Sequence, residues 1–233
     1  MSDAISYRLD DGVAVITLDD GKANAVSHAI LDGLHAALDR AEGEARSVVI
    51  VGREGKFSAG FDLAAMTEST ESMRALVISG AELLLRLYGL GLPTVAACTG
   101  HALAAGGLML LCCDRRIGAA GPAKIGLNEV AIGMALPIFA VELARERLTG
   151  SAFPMATMGA QVYDPEGALA AGYLDVVVDP ADVLATAIDE ARRLGQLSTG
   201  AYARTKLVAR TAIITHIRDT LVADMAGVSG PTP

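Results

Sequence analysis

The chain has 233 residues, 52% of them hydrophobic, with 25 glycines, no tryptophan and 4% aromatics. That is apolar material for one large domain packed through glycine and alanine rather than through large rings. A formal charge of −8, from 27 acidic against 19 basic residues, excludes the basic footprint of a nucleic-acid binder but not a local site for an anion. Cys98 and the adjacent pair Cys112 and Cys113 fit neither a disulfide framework nor a zinc knuckle. No metal is expected, and a reduced, cytoplasmic setting is. Met1-Ser2-Asp3-Ala4 has no basic n-region or apolar h-region, so no secretory signal is expected.

Ile5 to Leu9 and Val13 to Leu18, joined at Asp10-Asp11-Gly12, read as a hairpin. After Ala23-Asn24-Ala25, Ser27 is a natural N-cap, and Ile30, Leu31, Leu34 and Leu38 share one face of a helix reaching about Ala41. The apolar run Ser47 to Val51 suits a strand covered on both faces, and Gly52 to Gly60 reads as a glycine-rich loop. A helix at Leu76 to Leu87, a strand at Pro93 to Ala97, a helix at Ala105 to Cys112 and a strand at Arg116 to Ala119 follow. Leu92 to Cys113 carries no Asp, Glu, Lys or Arg and is long enough to span a bilayer. Pro93, Thr99-Gly100-His101 and the Ala-Ala-Gly-Gly of 104–107 divide it into strand, turn and core helix, so no membrane partner is expected.

Pro137 is expected in the first turn of a helix running to about Leu148 and closed by Thr149-Gly150. Asp164-Pro165-Glu166 opens a short helix that Gly172 stops, and Leu174 to Val178 is a strand. From Pro180 only helices remain, before a polar tail from Ser229 to Pro233. Strands alternating with helices predict an α/β layered core over 1–178. The helical region over 179–233 is not a separate folding unit. There is no repeat of fixed period. Leu207, Ile213, Ile214, Ile217 and Leu221 give the last helix apolar surface that a neighbouring subunit is expected to cover.

Three pieces carry chemistry. Phe57-Ser58-Ala59-Gly60-Phe61-Asp62 is a small-residue loop after a buried strand, and Gly100 to Gly107 is a strand–loop–helix junction of small residues. Both can present unpaired backbone N–H groups, and the helix start adds its dipole, so two donors converging on one point would make an oxyanion hole. The third, Gly126-Leu127-Asn128-Glu129-Val130-Ala131-Ile132-Gly133, places a carboxylate among apolar neighbours, where desolvation raises its pKa and makes it a useful base.

In this order the three pieces resemble the crotonase (enoyl-CoA hydratase/isomerase) superfamily, over nearly the whole chain from the hairpin to Ala171-Gly172-Tyr173-Leu174-Asp175. The resemblance implies a spiral of ββα units with a C-terminal helical oligomerisation region, packed as trimers or dimers of trimers. It implies an acyl-CoA thioester substrate, with coenzyme A entering as part of that substrate and no further cofactor. It places the oxyanion donors on the backbone N–H groups of Phe61 and Ala105, and the coenzyme A contacts on Ala23, Ala25, Ala59, Phe61 and Leu63. Lys22 is a nearby cation for a phosphate.

Hydratases of this family use two glutamates, one on the helix after the glycine turn and one on the following loop. Counted back from Asp114, the helix position is Leu108, a pocket residue unable to transfer a proton; the loop position is Glu129. One carboxylate can shuttle a proton between two carbons, so the pattern resembles the Δ3,Δ2-enoyl-CoA isomerases. A hydratase and a catalytically silent acyl-CoA-binding homologue are the alternatives. A dehalogenase is excluded because its nucleophile position is Ala135.

The other polar residues are expected in structural roles. His101 reads as a core or interface histidine, the cysteines and methionines as core filler. Ser58 lacks the spacing of a nucleophile elbow. Arg115, Arg116, Arg204, Lys206 and Arg210 read as solvated or intersubunit charges.

Overall fold

In the computed structural model, strands β1 (Ile5–Asp10) and β2 (Val13–Leu18) pair antiparallel, and Asp11 and Gly12 make the turn with φ of 48° and 80°. The structure describes residues 4–228 and Gly230, so the expectations for residues 1–3 and for most of the polar tail fall outside it. Ser27 caps α1 (His28–Glu44) by accepting from the Ile30 N–H, as its place before the apolar face predicts.

Three ββα units follow. The first is β3 (Ser47–Val51), β4 (Gly55–Ser58), α2 (Leu63–Glu68) and α3 (Thr70–Gly89). The second is β5 (Thr94–Cys98), β6 (Gly100–Leu103) and α4 (Ala105–Cys112). The third is β7 (Arg115–Ala119), β8 (Ile125–Gly126), a 3₁₀ turn at Val130–Ile132 and α5 (Ile138–Arg147). Then come α6 (Phe153–Thr157), β9 (Val162–Tyr163), α7 (Pro165–Ala171), β10 (Val176–Val178), α8 (Val183–Gly195) and α9 (Thr199–Gly227). Each unit gives its first strand to a sheet ordered β1-β2-β3-β5-β7-β10 and its second to a small sheet ordered β4-β6-β8-β9. This is the α/β crotonase-type spiral that the resemblance implies.

Alternation along the strands divides the core. Val13, Val15, Val49, Val51, Val95 and Ala97 face Val183, Ala187 and Ala191 of α8. Ala14, Ile16, Val48, Ile50 and Ala96 face the larger cluster built with α1, α3 and α4. Both faces are covered, which is why β3 reads as an unbroken apolar run. All eight residues of α4 are buried, which accounts for the long uncharged stretch. Gly106 is required there, since a Cβ would sit 2.4 Å from the Ser58 carbonyl oxygen. No helix among the described residues is long and apolar enough to cross a membrane.

Several expectations are corrected. The segment read as a loop over 52–60 contains strand β4, and β6 and β8 are strands too short to show a period. Pro137 is the N-cap of α5 rather than part of its first turn, having extended backbone with ψ 160°. Most of the apolar surface assigned to a neighbouring subunit is used within the chain. Ile214, Ile217 and Leu221 of α9 are buried among its own core residues, with α9 packed on α3 and α5, while Leu207, Val208 and Val222 are exposed.

Three of the five basic residues, Arg116, Lys206 and Arg210, also move inward, while Arg204 is exposed as expected. Arg116, at 5% exposure, donates from Nε and Nη2 to Asp175 and from Nη1 to the Gly172 carbonyl. Lys206 pairs with Asp114 at 2.7 Å and Arg210 pairs with the same carboxylate at 2.9 Å, tying α9 to the end of α4. Those two cations outweigh burial and hold Asp114 below the usual carboxylate range. His101 is half-buried rather than in the core, and its Nδ1 accepts from the Lys124 N–H at 2.9 Å.

Candidate active site

Backbone pairing builds the first wall of the site. Ala59 N–H donates to the Ala23 carbonyl at 3.0 Å, Val26 N–H to Gly60 at 2.8 Å, and Asp62 N–H to Val26 at 3.1 Å. This is a parallel bridge between Val26 and Phe61 in which Val26 makes both bonds, so the Phe61 N–H is turned away from Val26. Among the described residues it has no acceptor. Asn24 holds the arrangement together. It is fully buried at φ 54°, and its Nδ2 donates to the carbonyls of Leu18, Lys56 and Phe57 at 2.8, 3.3 and 3.1 Å. The sequence shows Asn24 only as the centre of Ala-Asn-Ala; its role as a staple depends on neighbours far along the chain.

The second wall is the start of α4. Ala104 precedes the helix at φ 50°, ψ −121°, a conformation rare for a residue with a Cβ. Its N–H donates to Gly126 at 2.9 Å and its carbonyl accepts from Leu108 at 3.0 Å, so tertiary bonds hold the strained residue. The glycine turn is thus formed with alanine in place. α4 has no side-chain cap, and the Ala105 N–H at its first position has no acceptor among the described residues. Gly60, at φ 96°, brings the two walls together: a Cβ there would lie 2.8 Å from the Ala104 Cβ and 3.5 Å from the Ala105 nitrogen.

The third wall carries the acid–base group. Glu129 precedes the 3₁₀ turn, and its carbonyl accepts from the N–H groups of Ile132 and Met134, each at 3.0 Å. Gly133 at φ 78° closes the turn and returns the chain. The residue is half-buried, but its Oε2 is buried and has no hydrogen-bond partner among the described residues. Burial pushes the carboxyl up to about 7, with its own backbone N–H pulling weakly the other way. The Asn128 Oδ1 and the Tyr173 hydroxyl are likewise buried without partners among the described residues. Burial, and then the Glu129 charge, push the Tyr173 phenol up.

These walls enclose a cleft of about 170 Å³ lined by Ala59, Phe61, Leu63, Met66, Ala104, Asn128, Glu129, Ile132 and Met134. Glu129 is the one ionisable side chain lining it among the described residues. Ala59, Phe61, Leu63 and Glu129 therefore meet in one place. Ala23 and Ala25 are half-buried behind the Ala59 loop, Ala105 is buried at the helix start, and Leu108 is in the core at 1% exposure, not on the cleft wall. Lys22 is exposed, and its N–H is taken by Asp20. The sequence reading missed Met66, Asn128, Ile132 and Met134. Asn128 sits beside Glu129 in the motif and could have been found; Met66 comes from another unit and shows no local signal. No group of three or more His, Cys, Asp or Glu side chains among the described residues could hold a metal ion.

A family model described as Enoyl-CoA hydratase/isomerase matches residues 8–225. The fold is similar to that of an enoyl-CoA hydratase/isomerase family protein from Pseudomonas syringae, at 44% identity and TM-score 0.91, covering 96% of each chain. It is also similar to an enoyl-CoA isomerase of Mycobacterium tuberculosis, at 41% identity and TM-score 0.93, covering 97% of this chain and 100% of that one. A probable enoyl-CoA hydratase of Bacillus subtilis is 37% identical over 160 residues, which are 67% of this chain and 61% of that protein. The chain thus spans less than two thirds of that relative's length.

Proposed function

Since this chain belongs to the enoyl-CoA hydratase/isomerase family, we propose that it moves the double bond of an acyl-CoA thioester from C3 to C2, with Glu129 as the single proton shuttle. The observation that carries this reading is the cleft's one carboxyl, pushed up to about 7 by burial; the resemblance supports it by aligning Leu108 with the second glutamate of the hydratases.

The Glu129 carboxylate takes a proton from C2, and the C–H electron pair moves toward the thioester carbonyl. Negative charge gathers on that oxygen, where the Phe61 and Ala105 N–H groups donate to it. The resulting dienolate collapses with its double bond at C2, and C4 takes the proton back from the same carboxyl. No water is consumed, and substrate and product have the same composition. A carboxyl near neutral suits both halves of the cycle, since it must accept and return one proton. The coenzyme A portion runs past Ala59 and Leu63, with Ala23 and Ala25 behind them.

Glutamine at Glu129 is the test. The amide keeps shape and packing but cannot carry the proton, so turnover should fall by about 10⁴, the upper end for general acid–base catalysis. Acyl-CoA affinity should stay within a few-fold of the wild type. Isomerisation that survives the change would refute the shuttle, and a wild type that binds acyl-CoA without turnover would identify a silent homologue. A hydratase is the second reading, favoured by the unpartnered Asn128 Oδ1 beside Glu129, which could hold a water against the carboxyl. The same family reading carries a homo-oligomer, a trimer or dimer of trimers, with the exposed Leu207, Val208 and Val222 of α9 available for its contacts.

A further inference from the structure

We infer that the cleft is closed by a floor of two methionines, Met66 and Met134, which limits the enzyme to short acyl chains of about six carbons. This inference rests on the acyl-CoA reading above and adds the length of the acyl group, which nothing in the three motifs specifies.

Exposure differs sharply among the side chains that line the cleft. Leu63 and Ile132 of the lining are 61% and 37% exposed, whereas Met66 and Met134 are 5% and 7% exposed, which on this proposal makes the first pair the mouth and the methionines the closed end. Glu129 and Ala104 belong to the same lining. On this proposal a chain whose thioester carbonyl sits by the Phe61 and Ala105 N–H groups points its far end at the shielded methionines. The cleft volume of about 170 Å³ is close to that of an engineered cavity of about 150 Å³ that takes one benzene, which sets the acyl group it admits at roughly six carbons.

The floor is fixed to the site on both sides. The Met134 N–H donates to the Glu129 carbonyl at 3.0 Å, so this methionine is set by the turn that sets the acid–base group. The Met66 N–H donates to the carbonyl of Asp62, the residue after Phe61, at 3.0 Å. Phe61 cannot swing back to enlarge the space, because its ring lies on Gly80 of α3 so closely that a Cβ there would be 2.3 Å from Cε1. Methionine, unbranched and polarizable, suits a wall that must fit a flexible chain end.

The test is the affinity of the full-length protein for butanoyl-, hexanoyl-, octanoyl- and dodecanoyl-CoA, measured by calorimetry. These saturated thioesters bind without reacting. Affinity should rise about fourfold for each added methylene up to hexanoyl-CoA, the transfer free energy of one buried methylene, and then level off or fall. Met66→Ala, and separately Met134→Ala, should move the break toward octanoyl-CoA. A continued fourfold rise through dodecanoyl-CoA in the wild type would overturn the proposal, and that measurement needs no variant to fold. A break unmoved in both folded variants would overturn the assignment of the floor. Failure of all four thioesters to bind would overturn the acyl-CoA reading itself, and the length limit with it.

Discussion

Glutamine at Glu129 should make the protein more stable at neutral and alkaline pH, while removing its activity. The folded chain holds this carboxyl near 7 against an ordinary 4.5, because burial disfavours the charge and Oε2 has no hydrogen-bond partner among the described residues. At about 1.4 kcal/mol for each pH unit, keeping the side chain ionised costs roughly 3 kcal/mol as an upper bound. The folded chain holds the proton more tightly than the unfolded chain does. The group's contribution to stability is therefore greatest below about pH 4.5, falls as pH rises toward about 7, and is constant above that. The amide has no such slope. Urea or thermal unfolding of both proteins across this range should show the variant gaining on the wild type as pH rises. At roughly 2–4 °C per kcal/mol for a chain of this size, the gain at its largest is about 6–12 °C. A variant less stable than the wild type at about pH 8, or a difference independent of pH, would refute the claim that Glu129 is a desolvated base.

Two further outcomes follow from neighbouring residues. Ala104→Gly relieves a backbone conformation costing about 1–3 kcal/mol, against roughly 0.5–1 kcal/mol of added chain entropy, so calorimetry should show a gain near 1 kcal/mol; a loss would mean that Ala104 is not strained. Lys206→Met strands part of the Asp114 charge, with Arg210 still paired to it, so stability should drop by about 3 kcal/mol, the low end for breaking a buried pair. Because Asp114 is held low, its contribution is present above the ordinary carboxylate range and is lost as pH falls through the folded value, so the Lys206→Met penalty should shrink in acid. A penalty that did not change with pH would show that the pair contributes through packing alone.

Much of this molecule is legible in its sequence, and the losses share a cause. The hairpin, the Ser27 cap and the limits of α4 follow from local rules of turns, caps and buried runs. The repeated ββα unit did not show, because its helical parts differ in length: α3 runs over Thr70–Gly89 but α4 only over Ala105–Cys112. The second strand of each unit is four residues or fewer, too short for a period of two. Charges were misread for the same reason. Arg116 finds Asp175 and Lys206 finds Asp114 across 59 and 92 positions, so each looks solvated until its partner is known. In the site, Glu129 is legible as a carboxylate among apolar neighbours and Phe61 and Ala105 through the family resemblance, while Asn24 and the proposed methionine floor depend on packing between distant segments.

The central claim, that one carboxylate moves one proton between two carbons, is tested most directly by a paired assay on the wild type and Glu129→Gln. The assay follows conversion of a 3-hexenoyl-CoA to the 2-enoyl product alongside hydration of 2-hexenoyl-CoA. The account predicts that the wild type isomerises faster than it hydrates, and that both rates fall together by about 10⁴ in the variant. Hydration as fast as isomerisation, persisting in Glu129→Gln, would contradict it.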